Sequence, residues 1–401
     1  MPWKEVRPMN EKIRFISDYL NEYFSFSELC YRYNISRKTG YKWVQRFEES
    51  YDPASLKDRS KRPHHIPNLT PEEIKNAILK NRELHPTWGA KKILWRMEKD
   101  HKEWELPARS TVSLILERNG CVKKKRKKIN RSHPGKPMIE MEEPNTVWTA
   151  DFKGQFKTLD GKYCYPLTVA DGHSRHLFSC KGMLSPSHKP VKKEFKRLFK
   201  KYGLPKYIRT DNGNPFASVA LGRLSRLSVW WIRLGVLPEL IEPGCPQQNG
   251  IHERMHKTLK YEATIPPGKN LSHQQKKFDD FIYEYNYERP HESLDMKTPA
   301  EVYSYSLRQM PERLPQIEYP AHFEVRRVSK NAGMRWYNNR FCVSYVLGGE
   351  YVGLEEVDNG IWNVYFGPVW LGRLHEKFMK IMDDKGYLFR NKKNKKCYLS
   401  P

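Results

Sequence analysis

The chain has 401 residues, with 72 Lys or Arg against 46 Asp or Glu, a formal net charge of +26. At about 150 residues per domain this length allows two to three domains, and so large a positive charge points to a polyanionic partner, most simply nucleic acid. The 13% aromatic content excludes a disordered basic tail protein; no stretch approaches the roughly 18 apolar residues of a membrane span, and seven scattered cysteines without C-x-x-C argue for a reducing, intracellular setting without disulfides or a cysteine zinc site.

Residues 1–60 read as helical. Ser25 and Glu28 fit a capping box. After the turn Asn34-Ile35-Ser36, a second helix carries Gly40, Trp43, Val44 and Phe47 on one face and Arg37, Lys38, Tyr41, Lys42 and Arg46 on the other. Helix, tight turn and basic helix is the helix-turn-helix pattern, whose second helix enters the major groove. The alternative is a surface helix with a solvated basic face.

Residues 62–120 predict three more helices. The first follows Thr70-Pro71-Glu72-Glu73, the second spans about 89–99, and the third, about 109–118, begins at Arg109 and ends before Gly120. They suggest a second helix-turn-helix-like DNA-binding unit, with Arg109 a DNA contact, or else a helical spacer. Residues 1–140 hold 31 basic and 18 acidic residues, a net +13 and half of the total. The run 121–139 contains eight basic residues, from Lys123 to Lys136, and reads as a linker extended by its own repulsion. It could lie along a phosphate backbone, be merely solvated or, in a eukaryote, serve as a nuclear import signal.

Residues 140–305 predict the element order β-β-β-α-β-α-β-α, a mixed sheet flanked by helices. Asp151 sits mid-strand in the apolar run Val147–Lys153, Asp211 ends a short strand, and Glu253 opens a helix. A strand interior is a poor place for an unpaired charge. Three converging carboxylates would make a hard oxygen site suited to Mg²⁺, and two ions there could activate one oxygen and stabilise another on a phosphodiester. Local capping or pairing is the other explanation.

Trp148-Thr149-Ala150-Asp151-Phe152, Thr210-Asp211-Asn212-Gly213 and Pro246-Gln247-Gln248-Asn249-Gly250-Ile251-His252-Glu253-Arg254 resemble the three acidic motifs of DDE transposases, members of the retroviral-integrase superfamily with a ribonuclease-H-like core. Lys260, seven residues after Glu253, matches the basic residue the family places on that helix face, toward DNA. Tyr285-Asn286, Arg289-Pro290-His291 and Thr298-Pro299-Ala300-Glu301 resemble the segment that follows this core in bacterial insertion-sequence transposases. The resemblance implies catalytic and metal-binding roles for Asp151, Asp211 and Glu253 with two Mg²⁺ ions, for which Mn²⁺ can substitute. It also implies double-stranded DNA partners (inverted-repeat ends and target), a homodimer or higher multimer on DNA, and a place at the nucleoid in a bacterial cytoplasm. The 41 residues between Asp211 and Glu253 exceed those of compact members, and the excess falls at 216–235.

His252-Glu253-Arg254-Met255-His256 also matches the zinc-protease pattern H-E-x-x-H. No metzincin continuation follows, and a peptidase gives no reason for the basic head. The expectation for His252 and His256 is DNA-facing or packing residues. Residues 320–375 predict strands with hairpin signals at Asn338-Asn339 and Asn359-Gly360, consistent with a small all-β barrel that could bind DNA or hold subunits together. The expected architecture is thus multidomain: all-α helix-turn-helix modules, an α/β ribonuclease-H-like core, and a small barrel. The expected function is a transposase that binds terminal inverted repeats, cleaves element ends and joins 3′-hydroxyls to target DNA. The alternatives are a non-catalytic regulator that keeps a dead core and a phage or retroelement integrase; the missing His-His-Cys-Cys head weighs against the latter.

Overall fold

The computed structural model describes residues 8–58, 69–122 and 138–382. The basic run through Lys123, Arg126, Arg131 and Lys136, and the tail from Lys385, lie outside the described residues. Two compact units are present, divided between Thr70 and Pro71.

The first unit contains α1 (Pro8–Leu20), α2 (Phe26–Arg32) and α3 (Arg37–Glu48). Ser25 caps α2 and Glu28 reaches back to the Ser25 amide at 3.1 Å, so two otherwise orphaned donors are satisfied reciprocally. Ser36 caps α3 through the Thr39 amide. The core is Phe15, Ile16, Leu29, Cys30, Trp43, Val44 and Leu56. Gly40 lets α3 approach α2: a Cβ there would lie 2.7 Å from Cys30 Sγ and 2.9 Å from the Phe26 ring.

The second unit begins with α4 (Glu72–Leu84), α5 (Ala90–Asp100) and α6 (Arg109–Arg118), packed around Ile78, Trp88, Ile93, Met97 and Val112. The Arg82 guanidinium ties this bundle together by donating to the main-chain oxygens of Trp88 and Cys121.

A mixed sheet follows: β1 (Val147–Phe152), β2 (Phe156–Lys157), β3 (Tyr163–Asp171), β4 (Leu177–Met183), β5 (Tyr207–Thr210) and β6 (Leu237–Leu240). Its order is β2-β3-β1-β5-β6, with β4 also on β3. β3 runs antiparallel to β1 and β4, whereas β1, β5 and β6 are parallel. This is the mixed α/β arrangement expected of a ribonuclease-H-like, integrase-type core. On one face, α7 (His188–Tyr202) buries Val191, Phe195, Leu198 and Phe199 against Trp148, Leu167 and Val169. On the other lie α9 (Gly250–Ala263) and α10 (Leu271–Tyr283), which pack Met255, Leu259, Phe278 and Phe281 against Leu177 and Cys180.

The helix that follows Asp211 is short, although Leu224, Leu227, Trp231 and Leu234 stand at helical spacing. Only Arg226–Arg233 is α-helical (α8), and Leu224 precedes it. The reason is that this stretch serves two cores. Leu227, Trp230, Trp231 and Leu234 belong to the core of the mixed sheet, while Leu221, Leu224, Val229 and Ile232 belong to that of the C-terminal sheet.

The expected barrel is also corrected. The C-terminal strands are β7 (Glu324–Arg327), β8 (Gly333–Trp336), β9 (Asn339–Cys342), β10 (Tyr351–Asp358), β11 (Ile361–Phe366), β12 (Val369–His375) and β13 (Lys380–Met382). Five form an antiparallel sheet in the order β13-β12-β11-β10-β7, and β8 pairs only with β9. Among the described residues the edge strands do not pair, so the sheet is open. It need not close, because α8 covers apolar surface that closure would otherwise bury. No described helix is long and apolar enough to cross a membrane.

Gly40→Val tests the close approach of α3 to α2. Overpacking at a contact this tight is expected to destabilise the first unit by about 1–3 kcal/mol. The check is thermal melting of the full chain; an unchanged first transition would show that the helices are not held this closely.

Candidate active site

The parallel register pairs Thr149 with Arg209 and Ala150 with Thr210. Asp151 and Asp211, each one residue further on, therefore stand side by side at the carboxyl ends of neighbouring strands, where strand spacing is about 4.8 Å. Arg209 lies beneath them, its guanidinium on Glu239 at 2.7 Å and on the Ile139 carbonyl at 2.7 Å. Asp211 Oδ1 accepts the Gly213 amide at 3.1 Å, and a Cβ on Gly213 would lie 3.0 Å from Asp211 Oδ2. A larger residue in this turn would press on the carboxylate, which would have to give by a few tenths of an ångström.

Glu253 lies in the first turn of α9 and is exposed. The carboxyl of Asp151 is pushed up to about 7, first by burial, then by the charges of Asp211 and Glu253. The fields of the three acids therefore overlap at Asp151.

The seat of α9 explains how this crowding is sustained. His252 and His256 lie on its inward face, 1% and 7% exposed. Thr168 Oγ1 lies 2.9 Å from the main-chain oxygen of Asp151 and 2.6 Å from Nε2 of each histidine. A hydroxyl has one proton and two lone pairs. If that proton goes to the Asp151 carbonyl, both imidazoles donate from Nε2. His252 Nδ1 is in turn 2.8 Å from Thr149 Oγ1. Burial holds His252 down to about 3, so it stays neutral.

Asp151, His252 and His256 offer ligand atoms within 4.8 Å of one another. Both nitrogens of His252 and Nε2 of His256 are already hydrogen-bonded, which leaves only His256 Nδ1, 3.8 Å from Asp151 Oδ2. The trio is therefore a poor zinc set, and the histidines are packing residues rather than DNA-facing ones.

Oxygen donors are better supplied. Asn249 Nδ2 is 3.4 Å from Asp151 Oδ2, while Asn249 Oδ1 is buried without a partner. Asn212 donates to the Ile241 carbonyl, and its own Oδ1 is likewise unpartnered. Four of the ten buried unpartnered side-chain atoms among the described residues belong to Thr210, Asn212, Gln247 and Asn249. Such atoms normally find partners, and their concentration in two motifs marks a place built for something else. Sequence reasoning quoted both asparagines within motifs but gave them no role; only the burial of their amide oxygens singles them out.

Elsewhere, Arg37, Lys38, Tyr41 and Lys42 are exposed on α3 and Arg46 is half-buried. Lys42 and Arg46 flank the Trp43 ring, and Tyr41 stacks on Phe26 with 4.1 Å between centroids. Arg109 is exposed at the start of α6. Lys260 is exposed two turns along α9 on the side of Glu253.

The raised carboxyl has a measurable consequence. Asp151 binds its proton more tightly folded than unfolded, where its pKa is near 3.9. Its favourable contribution is complete below about pH 4 and is lost as pH rises through about 7. In EDTA, Asp151→Asn should remove that decline, stabilising the chain at pH 8 by on the order of 2–4 kcal/mol with little change at pH 4. A variant that melts lower than wild type at pH 8 would contradict the charge crowding.

Integrase core domain models match residues 141–246 and 234–299, a helix-turn-helix domain model matches 11–64, and a homeodomain-like domain model matches 39–116. The chain is 29% identical over 171 residues to the insertion element IS407 uncharacterized 31.7 kDa protein of Burkholderia multivorans, covering 41% of this chain and 59% of that one. It is 28% identical over 182 residues to the insertion element IS476 uncharacterized 39.2 kDa protein of Xanthomonas euvesicatoria, covering 45% and 50%. The matches thus span little more than half the length of these relatives. Among solved structures, the HTLV-2 integrase catalytic core domain in complex with magnesium aligns at 16% identity and a TM-score of 0.33, covering 41% of this chain and 99% of that one. The chain thus carries helix-turn-helix matches at its head and integrase core matches behind them, and it is similar to proteins of bacterial insertion elements.

Proposed function

We propose that the protein is a Mg²⁺-dependent DDE transposase that binds the terminal inverted repeats of its element, cuts at the ends and joins them to target DNA. One observation carries this reading: Asp151 and Asp211 end neighbouring parallel strands, and their charges, with that of Glu253, crowd onto one half-buried carboxyl. Carboxylates with unpartnered amide oxygens nearby make a hard donor set, which suits Mg²⁺, with Mn²⁺ as a substitute. Bound there, two such ions would activate an attacking oxygen and neutralise a leaving one.

In this reading Asp151, Asp211 and Glu253 hold the ions, and Asp151 must give up its proton to do so. Asn249 orients the Asp151 carboxylate, and Gly213 leaves room for that of Asp211. Lys260 offers a cation to the phosphate backbone on the Glu253 side. No protein nucleophile is required. Water adds to phosphorus at an element end as the 3′-oxygen departs; that 3′-oxygen then adds to a target phosphorus and displaces the target's own 3′-oxygen. Arg37, Lys38, Tyr41, Lys42 and Arg46 on α3, with Arg109 on α6, are the proposed DNA contacts of the head. Two ends must meet in one complex, so a dimer or higher multimer on DNA is proposed, in a bacterial cytoplasm at the nucleoid.

The test is strand transfer by purified protein, using the inverted repeats that flank its gene and a target plasmid, with Mg²⁺ or with EDTA. Joined products should appear only with Mg²⁺. Asp151→Asn and Glu253→Gln should abolish them while end binding persists. Tight binding with no cutting under any divalent ion would instead support a non-catalytic regulator. Gly213→Ala gives a finer check: cutting should fall at least tenfold with end binding and melting temperature nearly unchanged, and full activity would show that Asp211 tolerates displacement.

A further inference from the structure

The segment after α10, with Tyr285-Asn286 and Arg289-Pro290-His291, was singled out by sequence but has no part in the carboxylate site. The structure shows what it builds. Asn286 pairs with both main-chain groups of Leu177, at 2.8 and 2.9 Å. Arg289 is held by Glu262 of α9 at 2.9 Å and donates to Thr87 of the second helical bundle at 2.8 Å. His85 meets Glu284 at 2.9 Å. The bundle is thereby docked on the core beside α9.

This junction encloses a pocket of about 350 Å³. Lys92 of α5, Arg175, Arg254 of α9, Tyr285, Arg289 and His291 line it, and Glu292 is the one carboxylate in its wall. Glu292 is 3.5 Å from Lys91, and Glu262 is taken by Arg289. Among the described residues, Lys92, Arg175 and Arg254 have no carboxylate within 4.0 Å. Burial, followed by the charge of Arg289, pushes the Lys92 ammonium down to about 7. Burial also pushes His291 down to about 3, and its Nε2 is buried without a partner. Glu262, Glu292 and Glu284 oppose that shift at Lys92, yet Lys92, Arg175, Arg254 and Arg289 outnumber the one carboxylate in the wall, an excess of positive charge that an anion would offset. Guanidinium groups present the forked donors that match phosphate oxygens.

The pocket shares α9 with Glu253. At 100° per residue, Glu253, Lys257 and Lys260 share one stripe, and His252, His256, Leu259 and Ala263 share the buried one. Ile251, Arg254, Thr258 and Glu262 form a third stripe, roughly 140° round the helix from that of Glu253, with Arg254, the residue after Glu253, at its near edge. The pocket opens onto this third stripe. We propose that it seats a backbone phosphate of the DNA whose neighbouring segment lies in the carboxylate cleft, gripped by Arg254 and Arg175 from the core and Lys92 from the helical bundle. The proposal rests on the DNA-cutting reading above for its ligand, although not for the anion chemistry of the pocket.

The experiment compares the full chain with a Lys92→Gln, Arg175→Gln, Arg254→Gln triple variant. Fluorescence anisotropy would follow binding to an inverted-repeat duplex and to a scrambled duplex across a salt series. Losing one phosphate contact should flatten the slope of log K against log salt by about 0.9. Affinity near 0.1 M salt should fall roughly tenfold on both duplexes, since a phosphate contact carries no sequence information. Without DNA the variant should melt at or above the wild-type temperature, because repulsion is relieved; a merely structural trio would melt lower.

An unchanged salt slope overturns the proposal. If inorganic phosphate at constant ionic strength raises the melting temperature of wild type but not of the variant, and the slope is unchanged, the pocket holds a free anion and the DNA assignment is wrong. A wild-type chain that never cuts DNA, yet whose slope flattens in the variant, would remove the catalytic reading and leave the phosphate seat standing.

Discussion

Three acids can share one small volume only if something other than their own interactions holds them there. Like charges at short range disfavour ionisation, and the carboxyl of Asp151 is raised first by its burial and then by the charges of Asp211 and Glu253. The opposing constraint is the clamp of α9 onto the sheet. His252 and His256 reach through Thr168 to the main chain of Asp151, so the helix that carries Glu253 is fastened to the strand that carries Asp151 by hydrogen bonds that do not involve their carboxylates. Because burial keeps His252 neutral, the clamp adds no charge of its own to the crowding.

The same helix organises its other neighbours. Its third stripe carries Arg254 and Thr258 in the wall of the basic pocket and ends in Glu262, which fixes Arg289, and Arg289 in turn reaches Thr87. The second helical bundle is thus positioned through the helix that bears Glu253. On the opposite side of the sheet, α8 lies between two cores, and Arg233 is 2.8 Å from Glu350 of the C-terminal region. The residues between Asp211 and Glu253 that exceed the compact pattern are those that give the C-terminal sheet its apolar footing, so the added length has a packing role.

Much of this was legible in the sequence because it rests on local signals. The capping box of α2, the strand around Asp151 and the helical period of α7 all depend on residues within one or two turns of each other. What was not legible depends on partners distant in the chain. Nothing near Leu224 says that it leaves its helix to join Val328 and Phe366, and hairpin signals cannot say whether a meander closes. For His252 and His256 the sequence left open DNA-facing or packing roles; their partners Thr149 and Thr168, which decide for packing, lie about a hundred residues away and no local pattern names them. Asn212 and Asn249 were visible as letters in motifs; their unpartnered amide oxygens are a property of the folded chain alone.

This dependence on distance bears on the meaning of the +26 net charge. Composition alone treats every Lys and Arg as part of one diffuse attraction for polyanions. The fold separates them. Arg209, Arg233 and Arg289 are spent on internal carboxylates and carbonyls and contribute little to an outer field. Lys92, Arg175 and Arg254 are gathered without an ion-pair partner within 4.0 Å among the described residues, in a pocket whose wall holds one carboxylate, Glu292. Of the three, Arg254 is carried by α9, which the histidine–threonine network anchors to the sheet from its other side. The helix that carries Glu253 toward Asp151 is therefore also the one that presents Arg254 to the basic pocket, so the two opposite concentrations of charge share one anchored helix.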